Sequence, residues 1–292
     1  MASSVTTSTL NEQFGIAEAL SFEDGAGDFT FVKIRAAGGT AEICLHGGHV
    51  TSFVPLGEAP VLWLSPEAVY RESKAIRGGV PICWPWFHHH PSDPEKPSHG
   101  YARISPWDVV GSSVGESGSV RLELTLLGEI GCELSIDVSK RLALELKTTN
   151  RSEVPIGLSG ALHSYLAIGD ISEVRVEGLG SLAYLDDVDG GAPKLQVGDV
   201  EIGQEVDRRY QHTEGEVLVH DGALGRTLRV SKSGSATTVL WNPWWNRAAE
   251  IGDMPDDGYQ TMLCVEAANA ASDGIVLQSG ESQLLGTTIE VV

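Results

Sequence analysis

The chain has 292 residues, with 40 acidic against 20 basic side chains and a net charge of −20. That length allows a sizeable core in one large domain or two ordinary ones. The charge argues against a nucleic-acid or anionic-membrane partner, and no apolar run approaches the ~18 residues a membrane helix needs.

The opening "MASSVTTSTLNEQFG" has neither the basic end nor the apolar segment of a secretory signal. The first ~20 residues are expected to be a loosely attached terminus of a soluble, cytoplasmic protein, with helical character around residues 10–20. Next comes "RGGVPICWPWFHHHPSDPEKPSHGYAR", residues 77–103, with a Pro-rich loop inside it. Between Arg71 and Arg103, five basic residues face three acidic ones, so the local charge is opposite to that of the chain.

From residue 120 onward a period of two recurs. "VRLELTLL" puts Val120, Leu122, Leu124 and Leu126 on one face and Arg121, Glu123 and Thr125 on the other. "LSIDVS", "RLALELK", "EVRVEG", "EVLVH", "TLRVSKS", "TTVLW" and "TTIEVV" continue the pattern, with "GESGS", "DGGAP", "KSGS" and "SGES" as turns between them. One short helix is expected near residues 245–251. Many short strands without a βαβ rhythm predict an all-β fold, a large antiparallel β-sandwich. No linker composition divides the chain, so residues 1–292 read as one domain. The four cysteines, Cys44, Cys83, Cys132 and Cys264, are far apart and fit reduced, buried thiols.

Several residues could carry chemistry. His88, His89 and His90 end at Pro91, like a loop end, and lack the fixed convergent spacing of a metal site. Trp84 and Trp86 at i, i+2 suit core packing or sugar stacking. Arg77 precedes Gly78–Gly79, which would let backbone approach a ligand, and Arg103 closes the segment; a guanidinium fork suits phosphate. His163 and Glu266 each lie in an apolar run, "ALHSYLAIGDI" and "MLCVEAANA". A buried acid must be paired, desolvated or functional, and a His and a Glu in one cleft form an acid/base pair. The sequence leaves open whether they meet.

"AIRGGVPICWPWF", "PSHGYAR", "ALHSYLAIGDI", "EVDRRY" and "VLWNPWWNRAAEIGDMPDDGYQTMLCVEAAN" occur in order and together resemble the glucose-6-phosphate 1-epimerases, or hexose-6-phosphate mutarotases. These belong to the aldose 1-epimerase-like superfamily. The resemblance runs from about residue 43 to 292. It implies a galactose mutarotase-like sandwich and an isomerase that interconverts the anomers of a hexose 6-phosphate. By motif match it implies His163 and Glu266 as the catalytic pair. Arg77 and Arg103 would contact phosphate or sugar, His99 would lie beside the substrate, and Asp207 would bind sugar hydroxyls. Ser98 stands at a polar contact position where the family usually has Gln. The resemblance implies no cofactor and no metal, and leaves the histidine run in a variable loop. A small sugar phosphate is the expected partner, bound by a monomer. A mutarotase of unphosphorylated aldoses would lack the arginine pair, and a non-catalytic carbohydrate-binding sandwich would not need both His163 and Glu266.

Overall fold

A computed structural model of the chain describes residues 6–128 and 130–292. Two broad sheets form its frame. The nine-stranded sheet runs, in spatial order, Val200–Glu201, Val174–Glu177, Val217–Asp221, Arg226–Ser233, Ser282–Val291, Arg141–Asn150, Ile130–Val138, Val120–Leu126 and Asp108–Val114, all antiparallel. The second sheet runs Ala192–Leu195, Ala183–Asp186, Val206–Gln211, Thr237–Asn242, Met262–Asn269, Gly160–Leu162 and Ile82–Cys83. Tyr165–Ala167 pairs with the first half of Met262–Asn269 beside Gly160–Leu162. A four-stranded meander, Leu20–Asp24, Thr30–Ala36, Gly39–Cys44 and His49–Pro55, and a two-stranded ribbon of Ile156–Leu158 with Ile275–Leu277 complete the sheets.

The alternation expected from residue 120 is present. Val120, Leu122 and Leu124 are buried while Arg121 and Glu123 are exposed. Leu126 is half-buried and packs at the margin of the core, and Thr125, expected outside, is buried with its hydroxyl donating to the Cys132 carbonyl. The inner faces of the two broad sheets meet in one apolar cluster that includes Leu122, Leu144, Ile289, Leu240 and Val265.

The Met262–Asn269 strand is buried on both faces. Leu263, Val265 and Ala267 join the main core, whereas Met262 and Cys264 join one smaller apolar cluster and Ala268 another. Glu266 therefore projects from the face opposite the core, beside Cys264 and Ala268. The same alternation turns Val239 and Trp241 to that side, paired with Glu266 and Cys264, and Asp207 and Arg209, paired with Trp241 and Val239.

Two expectations shift. The N-terminal helix is Thr7–Phe14, capped by the Thr6 hydroxyl and ended at Gly15. It is tied down: Asn11 Nδ2 donates to the Phe22 carbonyl at 2.7 Å, and Asn11 Oδ1 accepts from the Phe22 amide at 2.9 Å. The segment expected to hang loose thus carries a docked helix from Thr7. Residues 1–5 lie outside the described residues. The second helix, Trp244–Ala248, begins and ends earlier than expected.

Candidate active site

The face of the second sheet turned away from the core carries two rows of side chains. Tyr165, Cys264, Trp241 and Asp207 are cross-strand neighbours in one row; Glu266, Val239 and Arg209 form the next. His163 follows Leu162, which pairs with Ala267, and precedes Tyr165, which pairs with Cys264, so its side chain stands beside Glu266. Across 103 sequence positions the fold brings His163 Nε2 to 3.3 Å from Glu266 Oε1.

This pair is almost sealed from water, with side-chain exposures of 11% and 1%. Burial, reinforced by the Asp207 charge, holds the Glu266 carboxyl well above the ordinary carboxylate range. Burial, reinforced by the Arg103 and Arg77 charges, pushes His163 well below the ordinary imidazole value. Both directions disfavour two full charges in the empty cleft. Both shifts favour the carboxylic acid beside a neutral imidazole; moving that one proton to the imidazole gives carboxylate and imidazolium. Glu266 Oε2 and His163 Nδ1 are buried without a hydrogen-bond partner among the described residues. Such atoms cost about 1–3 kcal/mol each when unsatisfied.

Tyr165 connects this pair to the arginines. Its ring stacks on His163 at 4.7 Å and 9°, and its hydroxyl accepts from Arg77 Nη1 at 3.0 Å. Arg77 Nε donates to Asp253 Oδ1 at 2.9 Å, and Lys74 Nζ lies 3.2 Å from Asp253 Oδ2. Together the two cations hold the Asp253 carboxyl below its ordinary value, in spite of its burial. Arg103, on a single 3₁₀ turn, donates from Nη2 to the Ser98 carbonyl at 2.8 Å, and its Nε is buried with no partner among the described residues.

Two cavities meet along Arg77, Ser98, Arg103 and Tyr165. One, about 250 Å³, is lined by Lys74, Arg77, Arg103, Ser73, Ser98 and Asp253 among others. The other, about 360 Å³, holds His163, Glu266, His99, Asp207 and Trp241. Taken together, as one double cleft, they fall within the range of small-ligand sites. All seven residues singled out from the sequence, His163, Glu266, Arg77, Ser98, His99, Arg103 and Asp207, line this double cleft.

The loop from residue 88 to 103 closes one side. His99 is half-buried, and its Nδ1 accepts from the His88 amide at 3.3 Å, which leaves Nε2 to carry the ring proton. Burial and the Arg103 charge keep this imidazole neutral. Asp207 is raised to about 7, by burial first and then by the Asp187 charge.

Some readings of the segment 77–103 change. Gly78 and Gly79 have φ of +101° and +62°, and a Cβ at either would strike the Trp63 or Val50 carbonyl at 2.5 or 2.2 Å. Their role is close backbone packing under Arg77, where an approach to ligand was expected. Trp84 belongs to the core and donates from Nε1 to Thr148. The histidine run, expected to sit apart, puts His88 and His89 in the cleft wall, while His90 packs edge-on against Trp86 outside it. His88, Asp187 and Asp207 bring one ligand atom each within 4.8 Å of one another. Asp187 is already bound by both arms of Arg209, at 2.6 and 2.7 Å, so a cation there would have to displace a bidentate guanidinium.

Sequence reading missed Tyr165, Trp241, Asp253 and His88. Tyr165 had a signal, since it is two residues from His163 and so shares its face. Asp253 had none: it is an ordinary loop aspartate until the fold carries it to Arg77.

Comparison with known proteins gives consistent results. The family described as aldose 1-epimerase matches residues 30–290. A Salmonella typhimurium protein named "Putative glucose-6-phosphate 1-epimerase" is 35% identical over 254 residues, 85% of each chain. A crystal structure from Salmonella typhimurium, described as "a putative mutarotase", superposes with a TM-score of 0.88 at 31% identity, covering 96% of this chain and 95% of that one. A galactose mutarotase-like protein from Clostridium acetobutylicum, 15% identical with a TM-score of 0.71 over 94% of this chain and 98% of its own, shares the fold.

Proposed function

The chain belongs to the aldose 1-epimerase family, and from that premise we propose that it interconverts the α and β anomers of D-glucose 6-phosphate. The observation that carries the reading is a sealed His163–Glu266 pair opening onto a second chamber lined by Lys74, Arg77 and Arg103. The pair supports anomerisation, and the cationic chamber supports a phosphorylated sugar.

Anomerisation opens and recloses a hemiacetal. Glu266, as carboxylate, takes the proton of the C1 hydroxyl. The C1–O5 bond breaks to leave an aldehyde, and O5 receives a proton from His163. Rotation about C1–C2 presents the other carbonyl face. His163 then removes the O5 proton as O5 attacks, and Glu266 returns its proton to the new C1 hydroxyl. No electron or group leaves the sugar, and the pair ends with the single proton it began with. Each positioned proton transfer is worth ~10²–10⁴-fold. Tyr165, stacked on His163, fixes the imidazole plane.

The phosphate is remote from C1, so its binding energy serves to place the ring over the pair. Ser98, His99 and Asp207 complete the sugar contacts. A cytoplasmic setting suits the four buried, unpaired cysteines. A monomer suffices for the proposed site, whose residues one chain brings together by itself.

The test is exchange NMR or optical rotation on glucose 6-phosphate and on glucose. Charge-assisted contacts contribute roughly 1.5–3 kcal/mol each, so Arg77→Ala and Arg103→Ala should each lose about ten- to a hundredfold in kcat/KM on the phosphorylated sugar. Their weak activity on glucose should barely change. Equal losses on both sugars would make the protein a mutarotase of unphosphorylated aldoses, and inactivity of the wild type on both would leave a carbohydrate-binding sandwich.

A further inference from the structure

We infer that His88 is a specificity-determining residue, which with Asp207 grips the C2–C3 hydroxyl edge of the sugar at the end of the cleft opposite the phosphate. This rests on the activity proposed above.

The layout sets the direction of the ring. Tyr165, which holds Arg77, and Asp207 stand at opposite ends of one cross-strand row, with Cys264 and Trp241 between them. Three strand spacings separate them, about 14 Å. Glu266 and His163 sit beside the middle and the Tyr165 end of that row. A sugar with its phosphate at Arg77 and Arg103, and C1 and O5 at the pair, has little freedom left. C6 is attached to C5, and C2 lies diametrically across the ring from C5. The C2–C3 edge therefore points at Asp207.

His88 waits at that edge. Its Nε2 is buried without a partner among the described residues. A ring nitrogen of His88 and the carboxylate oxygens of Asp187 and Asp207 lie within 4.8 Å of one another. Asp187 is engaged by Arg209, which leaves Asp207 as the free acceptor. Two hydrogen bonds of ~2.8 Å meeting at one oxygen span roughly 4.5–5 Å. A gap of up to 4.8 Å admits one sugar hydroxyl, donating to one group and accepting from the other.

The backbone holds His88 for this purpose. Its φ is +61°, a strained value for a residue with a side chain. The His99 amide donates to its carbonyl at 2.7 Å, its own amide donates to His99 Nδ1, and its ring packs edge-on against Phe87 at 4.3 Å. A histidine that only covered a loop would not need so many ties.

The experiment compares glucose 6-phosphate with 2-deoxyglucose 6-phosphate, which lacks the C2 hydroxyl. His88→Asn tolerates the left-handed backbone but is too short to reach; His88→Gln restores a polar end at similar reach. In wild type, the deoxy sugar should be the poorer substrate, because it leaves the site's polar groups unpaired. His88→Asn should lower kcat/KM on glucose 6-phosphate by about five- to tenfold while altering the deoxy sugar less than about twofold, and His88→Gln should recover part of the difference. Equal losses on both sugars, or full discrimination in His88→Asn, overturn the assignment. Wild-type inactivity on both phosphorylated sugars would instead refute the proposed reaction, so the two failures are distinguishable.

Discussion

At the scale of single residues, the acid/base role proposed for Glu266 and His163 rests on the fold denying both of them water. In the proposed mechanism the one-proton form of the pair is the active one. It is lost at low pH, when a second proton adds, and at high pH, when the last one leaves. Since His163 is depressed, the acid limb of a kcat/KM profile should fall below the ordinary imidazole value; since Glu266 is raised, the alkaline limb should lie above the ordinary carboxylate value. A pH series from about 4 to about 10 checks this, and His163→Ala and Glu266→Gln should each abolish most turnover in a folded protein. Asp207 gives a separate handle. Its folded value, about 7, is above its ordinary 3.8. The folded state then holds this proton more tightly, so stability is full below 3.8 and declines as pH rises to about 7. Asp207→Asn removes the deficit. Thermal melts should show no gain at pH ~4 and a gain on the order of 1–2 kcal/mol at pH ~8, allowing for partial solvation, while sugar turnover drops. The pair was legible in the sequence because an acid and a histidine in apolar runs must be explained. His88 was not: in a row of three histidines before a proline, nothing tells which one the loop turns inward.

At the scale of elements, strands from residue 120 were legible chiefly where they enter the nine-stranded sheet, which has one buried and one wetter face over most of its length. The N-terminal meander was not. Phe31 packs with Cys44 and Ile76 in one cluster while Val32 and Ile34 pack in the main core, so both faces are buried and the period of two is blurred. Spatial order was also hidden, since strands close in sequence are not always neighbours in the sheet. That matters for the cationic chamber, where the loop carrying Asp253 meets the loop carrying Lys74 and Arg77. Counting charges from residue 71 to 103 left this aspartate out. Its carboxylate aligns two cations that would otherwise repel each other. Asp253→Asn should therefore lower kcat/KM for glucose 6-phosphate by about five- to tenfold, mostly through KM, although the chamber becomes more positive. Steady-state kinetics on the two proteins decide it: a higher kcat/KM in the variant would mean that Asp253 merely competes with the substrate's phosphate.

At the scale of the whole molecule, a net charge of −20 repels a dianionic sugar at long range. On the proposed reading, capture depends on a few cations set inside a cleft, where the Debye length of ~8 Å in physiological salt screens the distant acidic surface more than the contacts themselves. The Ser282–Val291 strand has a different consequence. It lies between Arg226–Ser233 and Arg141–Asn150 in the nine-stranded sheet, yet the ribosome makes it after every other described strand. Without it, the strands on either side have no partner along these edges, and an open hydrogen-bonding edge is a template for wrong pairing. Closure of this sheet therefore waits for the last-made of its described strands, and long-range pairing of that kind is intrinsically slow and aggregation-exposed.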